Sequence, residues 1–294
     1  MVAINYKRRE GFTLVELLVA LAIISVLMGI LLPALAKVRR QARVILGINN
    51  QRQIVCAVNL FAFDNDDRYP DSVATIGSGK YWNWQEPTMM AACKPRSPLI
   101  HRSMSAYLRY YIKDASIMFC PSAPYKYEYS QQAWDAGDDW DNPETTPMLD
   151  PVVGTYCFYW NYVGYVGGPR RIFRGPFCLA GGQEQSKLLV SDYFGYDHWR
   201  SRNAYGSCEK FNGADVTPGT VVSSAYWSRA NSDGKVTLDK LKIKLHAGYT
   251  DGHVESFSSS EVIPMRVSIT SDGSVPYPQG VGPGVFYLPR NALH

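Results

Sequence analysis

Twenty consecutive residues, 17–36 (LLVALAIISVLMGILLPALA), carry no charge. Wound as an α-helix they would extend about 30 Å, the thickness of a bilayer's hydrocarbon core. Ser25, Gly29 and Pro33 interrupt the run, and membrane helices tolerate all three. A buried core helix is the competing reading, but twenty residues apolar on every face exceed what most soluble domains can cover. The run therefore predicts a membrane span. The rest of the chain is unlike it. With 294 residues, 46% hydrophobic and 19% charged, whole-chain disorder is excluded. A net charge of +4 is too small to point to nucleic acid, and no nucleic-acid partner is expected.

Ahead of the run lie Lys7, Arg8 and Arg9, then Gly11. A basic segment before an apolar one suggests a secretory signal. Ala34-Leu35-Ala36 matches a small-x-small cleavage site formally, yet the run is longer than an ordinary signal core. The other option is cleavage before the run, which keeps the helix on the mature protein. Glu16 stands at the edge of the apolar segment. An acid within hydrocarbon costs at least about 2.5–3.5 kcal/mol, so such residues usually pair and carry a role. The plainer alternative is a side chain that snorkels to the interface.

The segment Arg9-Glu10-Gly11-Phe12-Thr13-Leu14-Val15-Glu16-Leu17 closely resembles the cleavage and methylation motif of type IV pilins and type II secretion pseudopilins. The resemblance implies a prepilin peptidase that cuts between Gly11 and Phe12 and then N-methylates Phe12. It implies that Glu16 pairs with the Phe12 amine of a neighbouring subunit and sets register during assembly. Pro33 lacks an amide donor and crowds the carbonyl of Gly29, so the pair forms a weak point in the helix; pilin helices often carry proline at the matching place. The implied partners are the peptidase, other copies of the chain or related pilins, an inner-membrane assembly platform and membrane lipid. The implied location is the inner membrane, single-pass, with the head outside the cytoplasm, as a cell-surface or periplasmic filament. Lys37, Arg39, Arg40, Arg43 and Arg52 make the second flank basic too, so the positive-inside rule does not decide orientation.

Val44, Ile48, Val55, Val58 and Ala62 recur on one helical face, with no proline before Pro70. The expected helix covers 12–63, 52 residues and about 78 Å, with Gly47 and Asn49-Asn50 weakening its middle. The chain thus reads as a leader (1–11), a membrane or filament-core helix (12–36), an amphipathic continuation (37–63) and a globular head (64–294). Residues 59–70 (NLFAFDNDDRYP) resemble the segment after the long helix in a planctomycete-type group of pilin-like proteins. Asp64, Asp66 and Asp67 fail the EF-hand pattern, with Tyr69 and Thr75 at the glycine and glutamate places, so a helix stop and turn is expected.

The head is expected to be α+β: the long helix packed on an antiparallel sheet with long loops. Strand-like runs are 155–165, 187–192 and 240–249, whereas 78–100 and 121–151 read as decorating loops. His246-Ala-Gly-Tyr-Thr-Asp251-Gly252-His253 reads as a hairpin whose Asp-Gly supplies two positive-φ positions. It resembles a shortened form of the planctomycete-type group's C-terminal His…Asp-Gly element, and Phe119-Cys120-Pro121-Ser122 resembles that group's Cys-Pro-Ser element. His246, Asp251 and His253 form an adequate metal shell by composition, but alternation along strands favours a structural hairpin. Asp135, Asp138, Asp139, Asp141 and Glu144 suit calcium better, or a solvated acidic loop; no other cofactor is implied.

Six cysteines without a C-x-x-C spacing allow disulfides in an exported head, and Cys56 on the helix is expected to be buried. The aromatic clusters at 81–84, 125–129 and 156–162 suit glycan binding or core packing, and packing is the expectation. No nucleophile elbow, Walker A loop, dinucleotide fingerprint or H-E-x-x-H is present. The leading reading is a non-enzymatic filament subunit, a pilin or a pseudopilin. The alternatives are a membrane-tethered protein that binds surface polysaccharide or protein without polymerising, and an anchored hydrolase.

Overall fold

The computed structural model describes residues 13–74, 87–91, 103–121, 131–137, 152–166, 172–182, 184–196, 244–258, 261–266 and 285–293. The chain divides into two units, residues 1–42 and 43–294. The fold is α+β. One helix, α1 (Leu14–Asp64), is unbroken through Pro33. Its first part is exposed on all sides. From Gly47 onward one face is buried, through Gly47, Gln51, Ile54, Val55, Ala57, Val58 and Ala62. The expected apolar face is thus the packing face, with Val44 and Ile48 half-buried at its start. Cys56 corrects an expectation: it points off that face and is exposed, because at about 100° per residue it lies roughly 100–180° round the helix from each of the buried positions. After Asp64 the chain turns through Asp66 and Asp67, whose φ angles are +53° and +60°.

The expected antiparallel sheet structure is present, as three sheets among the described residues. β1 (Met89–Ala91) pairs with β2 (Val152–Val153). β3 (Tyr156–Phe158), β6 (Leu188–Asp192), β8 (Lys244–Tyr249) and β9 (Val254–Ser258) form a four-stranded sheet in the order β3-β6-β8-β9. β5 (Ile172–Arg174), β4 (Val163–Val166), β10 (Val262–Arg266), β11 (Val285–Pro289) and β7 (Gly195–Tyr196) form a five-stranded sheet in that order. Also among the described residues of the head are two short helices, α2 (Met104–Leu108) and α3 (Gln131–Ala136), and 3-10 turns at Ala115–Met118 and Arg290–Leu293. The segments expected as plain loops therefore contain β1 and α3. The run 155–165 is not one strand either: it breaks at Asn161 (φ +50°) into β3 and β4, which belong to different sheets.

The aromatic residues of that run fill the core. Tyr156, Phe158, Tyr159, Trp160 and Tyr162 are all buried, and Tyr159 meets Phe173 edge-on at 5.5 Å between ring centroids. Packing, not sugar recognition, is what these rings do. Clusters 81–84 and 125–129 lie outside the described residues. The Asn161 amide donates to the carbonyls of Tyr69 (2.9 Å) and Pro70 (2.8 Å), so the turn anchors the chain leaving α1.

α1 sits on the β6–β8 face at a place cleared for it: a Cβ on Gly248 would stand 2.8 Å from Val55 Cγ2 and 3.0 Å from Val190 Cγ1. Within this dry contact lies one polar cluster. Gln51, wholly buried, donates its amide to Asp192 Oδ1 at 2.9 Å. Asp192 Oδ2 accepts from the backbone N–H of His246 (2.9 Å) and lies 2.9 Å from His246 Nδ1. A buried carboxylate is tolerable only with such donors. Gln51→Leu removes the helix's donor while keeping its volume, and is expected to destabilise the head by about 1–3 kcal/mol. Gly175 is a second pressure point, since a Cβ there would lie 1.6 Å from the Tyr159 carbonyl oxygen. Gly175→Ala is expected to cost about 3 kcal/mol. Denaturant unfolding followed by tryptophan fluorescence measures both; an unchanged midpoint in either variant contradicts the corresponding contact.

Candidate functional site

Gly11 and Phe12 lie outside the described residues, and Thr13 is the first described residue beyond them. The Thr13 backbone N–H donates to Glu16 Oε2 at 2.9 Å and its hydroxyl donates to the same oxygen at 2.8 Å. In return the Glu16 N–H donates to Thr13 Oγ1 at 3.3 Å. This is a capping box, in which Thr13 and Glu16 satisfy each other's helix-end groups. Its signal in the sequence is Thr13-x-x-Glu16 ahead of an apolar run, which the reading of Glu16 as a lone membrane acid passes over. Glu16 is thus held by its own helix, with its carboxylate at the helix N-terminus, where the helix dipole favours an anion.

Beyond the cap, α1 displays apolar side chains around its circumference: Leu14 is 73% exposed, Ile30 72% and Val26 65%. Ser25 returns its hydroxyl to the Leu21 carbonyl at 2.7 Å, so the run's lone hydroxyl side chain is satisfied internally. Gly29 has open space about it: a Cβ added there would meet nothing within 4 Å. The helix is one long and apolar enough to cross a membrane.

The C-terminal hairpin separates the three residues whose composition suits a metal shell. His246 is buried on β8 and bound to Asp192. Asp251 and His253 lie in the exposed turn and hydrogen-bond each other. Burial pushes the Asp251 carboxyl up, but the hydrogen bonds from the His253 ring and backbone outweigh it and hold the group below the usual range. The turn also corrects an expectation, because Gly252 alone has positive φ (+91°). The Gly252 N–H donates to the Tyr249 carbonyl (2.9 Å) and the Tyr249 N–H to the His253 carbonyl (3.0 Å), a three-residue loop rather than a two-residue one. Tyr249 stacks on His253 at 4.6 Å and its hydroxyl donates to Glu255 (2.6 Å), with Asn291 Oδ1 3.0 Å from the same oxygen, which ties the hairpin to the C-terminal 3-10 turn.

Asp135, exposed on α3, accepts from Gln131 through its carboxylate (2.9 Å) and from Arg109 through its carbonyl (3.3 Å). Asp138, Asp139, Asp141 and Glu144 lie outside the described residues. No group of three or more His, Cys, Asp or Glu among the described residues is arranged to hold a metal. Cys120 is disulfide-bonded to a partner outside the described residues, whereas Cys56, Cys157 and Cys178 are thiols. Tyr69, between helix end and sheet, donates to Asn59 at 2.9 Å, and burial, with Cys178 beside it, pushes its hydroxyl up to about 12.

No curated protein and no solved structure matches the chain. Residues 6–32 match the model of the prokaryotic N-terminal methylation motif, which implies processing by a prepilin peptidase. That match spans the basic residues, the Gly11-Phe12 junction, the Thr13–Glu16 cap and most of the apolar run. The chain carries the N-terminal signature of type IV pilins and pseudopilins.

Proposed function

We propose that this protein is a structural subunit of a type IV pilus or type II secretion pseudopilus, cut between Gly11 and Phe12, N-methylated on Phe12 and assembled through α1. The observation that carries the reading is the coincidence of the methylation motif at 6–32 with a helix that is apolar and exposed on every face from Leu14 to Leu35. Such a helix needs lipid before assembly and neighbouring helices after it. The 47 residues between Glu16 and Asp64 contain no acid, so Glu16 is the only carboxylate that a new Phe12 amine meets in a parallel bundle of these helices. Cleavage leaves Thr13 as the second residue of the mature chain, and its backbone N–H and hydroxyl remain bonded to the Glu16 oxygen. The cap then orients the carboxylate for the incoming amine. The Cys120 disulfide suits a head outside the cytoplasm.

Glu16→Ala removes both the cap's acceptor and the amine's partner, while making membrane insertion easier by about 2.5–3.5 kcal/mol. Cleaved, membrane-inserted protein and no sedimentable filaments are expected from it. Thr13→Ala keeps the carboxylate and loses only the hydroxyl, at about 1 kcal/mol of helix-end stability, and filaments at reduced yield are expected. Shearing, sedimentation and electron microscopy of cells carrying each variant test this. Normal filaments from Glu16→Ala contradict the assembly role, and membrane-bound monomers from the native chain favour the tethered binding protein instead.

A further inference from the structure

The charges beyond the membrane segment are sorted along the chain. Lys37, Arg39, Arg40, Arg43 and Arg52 are exposed on α1, and Arg39, Arg40 and Arg43 form its basic face, within about 100° of the circumference. At the end of the same helix Asp64, Asp66, Asp67 and Asp71 are exposed within eight residues, with Arg68 as the one cation among them. Among the described residues Arg39, Arg43, Arg52, Asp66 and Asp67 make no ion pair. The acidic corner is held firmly. Arg68 N–H bonds to the Asn65 carbonyl (3.0 Å), Leu179 N–H to the Asp67 carbonyl (2.9 Å) and Tyr69 N–H to the Phe177 carbonyl (3.0 Å). Asp66 and Asp67 both occupy the left-handed region, which sets the tight backbone turn that carries their side chains.

Two parallel copies of such a chain set side by side without offset put cations against cations and acids against acids. Arg43 and Asp64 are 21 residues apart on one helix, about 32 Å at the usual rise. Copies displaced by roughly that distance bring the basic face of one against the acidic corner of another. We propose that the exposed basic face of α1 docks the Asp64–Asp67 corner of a second copy displaced along the filament axis, a contact that selects the stagger by charge. This rests on the reading of the chain as a filament subunit. Complementary potentials fix register and suppress wrong pairings more than they add affinity. Here they act outside the lipid, where the Glu16–amine contact does not reach.

The test uses the full chain in cells that assemble it. The first variant is Arg39→Glu, Arg40→Glu, Arg43→Glu. The second is Asp64→Lys, Asp66→Asn, Asp67→Asn, asparagine being tolerated at positive φ. The third combines them. Each single set is expected to lower sedimentable filament at least tenfold with processing and membrane level unchanged, and the combination to recover at least threefold over either. Filament yields within twofold of native for both sets, or a combination no better than its parts, overturn the proposal. So does a first variant whose sole defect is lost binding to anionic phospholipid vesicles, which assigns the basic face to headgroups. Native protein that never polymerises overturns the filament reading itself; native filaments indifferent to the charge sets overturn this contact alone.

Discussion

The exposed apolar surface of α1 is the constraint on which everything else depends. Fifteen large apolar side chains between Leu14 and Leu35 are exposed. At about 1.5–3 kcal/mol for burying each fully, and with each roughly half exposed, the penalty in water is on the order of 20 kcal/mol. That exceeds the whole stability of a typical domain. The described head residues form a core of their own around Ile54, Val55 and the Tyr159–Phe173 cluster. A surface of that size calls for an apolar cover, and the helix is long and apolar enough to cross a membrane. Lipid suits its uniform apolar circumference, and so, under the proposed function, do neighbouring copies of the same helix.

The second half of the helix solves a different problem, namely how a rod is fixed to a sheet without sliding. Apolar contact alone is weakly selective about register. Gln51, Asp192 and His246 add a requirement that only one register meets, because shifting α1 by a turn leaves Asp192 buried and short of a donor. Gly248 adds a steric one at Val55. The His246 that the sequence singles out as part of a His…Asp-Gly element is thus a structural residue here. Its partner is Asp192 on the adjoining strand, not the Asp251 a few residues on.

Much of this is readable in the residues. The apolar run, the amphipathic stripe from Val44 to Ala62, the stop at Asp64 and the Asp-Gly hairpin all follow from local pattern, where period and turn chemistry decide. Gln51 is readable too but easily missed: it fills the gap between Ile48 and Val55 on that stripe, which marks a buried polar residue in want of a partner. Thr13-x-x-Glu16 is missed in the same way, because the pilin resemblance draws notice to the acid and away from its neighbour. What cannot be read is long-range. The split of 155–165 between two sheets depends on Asn161 bonding back to residues 69 and 70, and the Asp192–His246 contact joins positions 54 apart. Pairing between strands so distant is chosen by the whole core rather than by either strand.

The central claim is that α1 becomes a polymer core after cleavage at Gly11/Phe12. Mass spectrometry of the sheared, sedimentable surface fraction tests it most directly. The account predicts a chain that begins at N-methylated Phe12, lacks residues 1–11 and is recovered with its head in a polymer. A chain that retains Met1–Gly11, or a cleaved chain found only as membrane monomer, contradicts it.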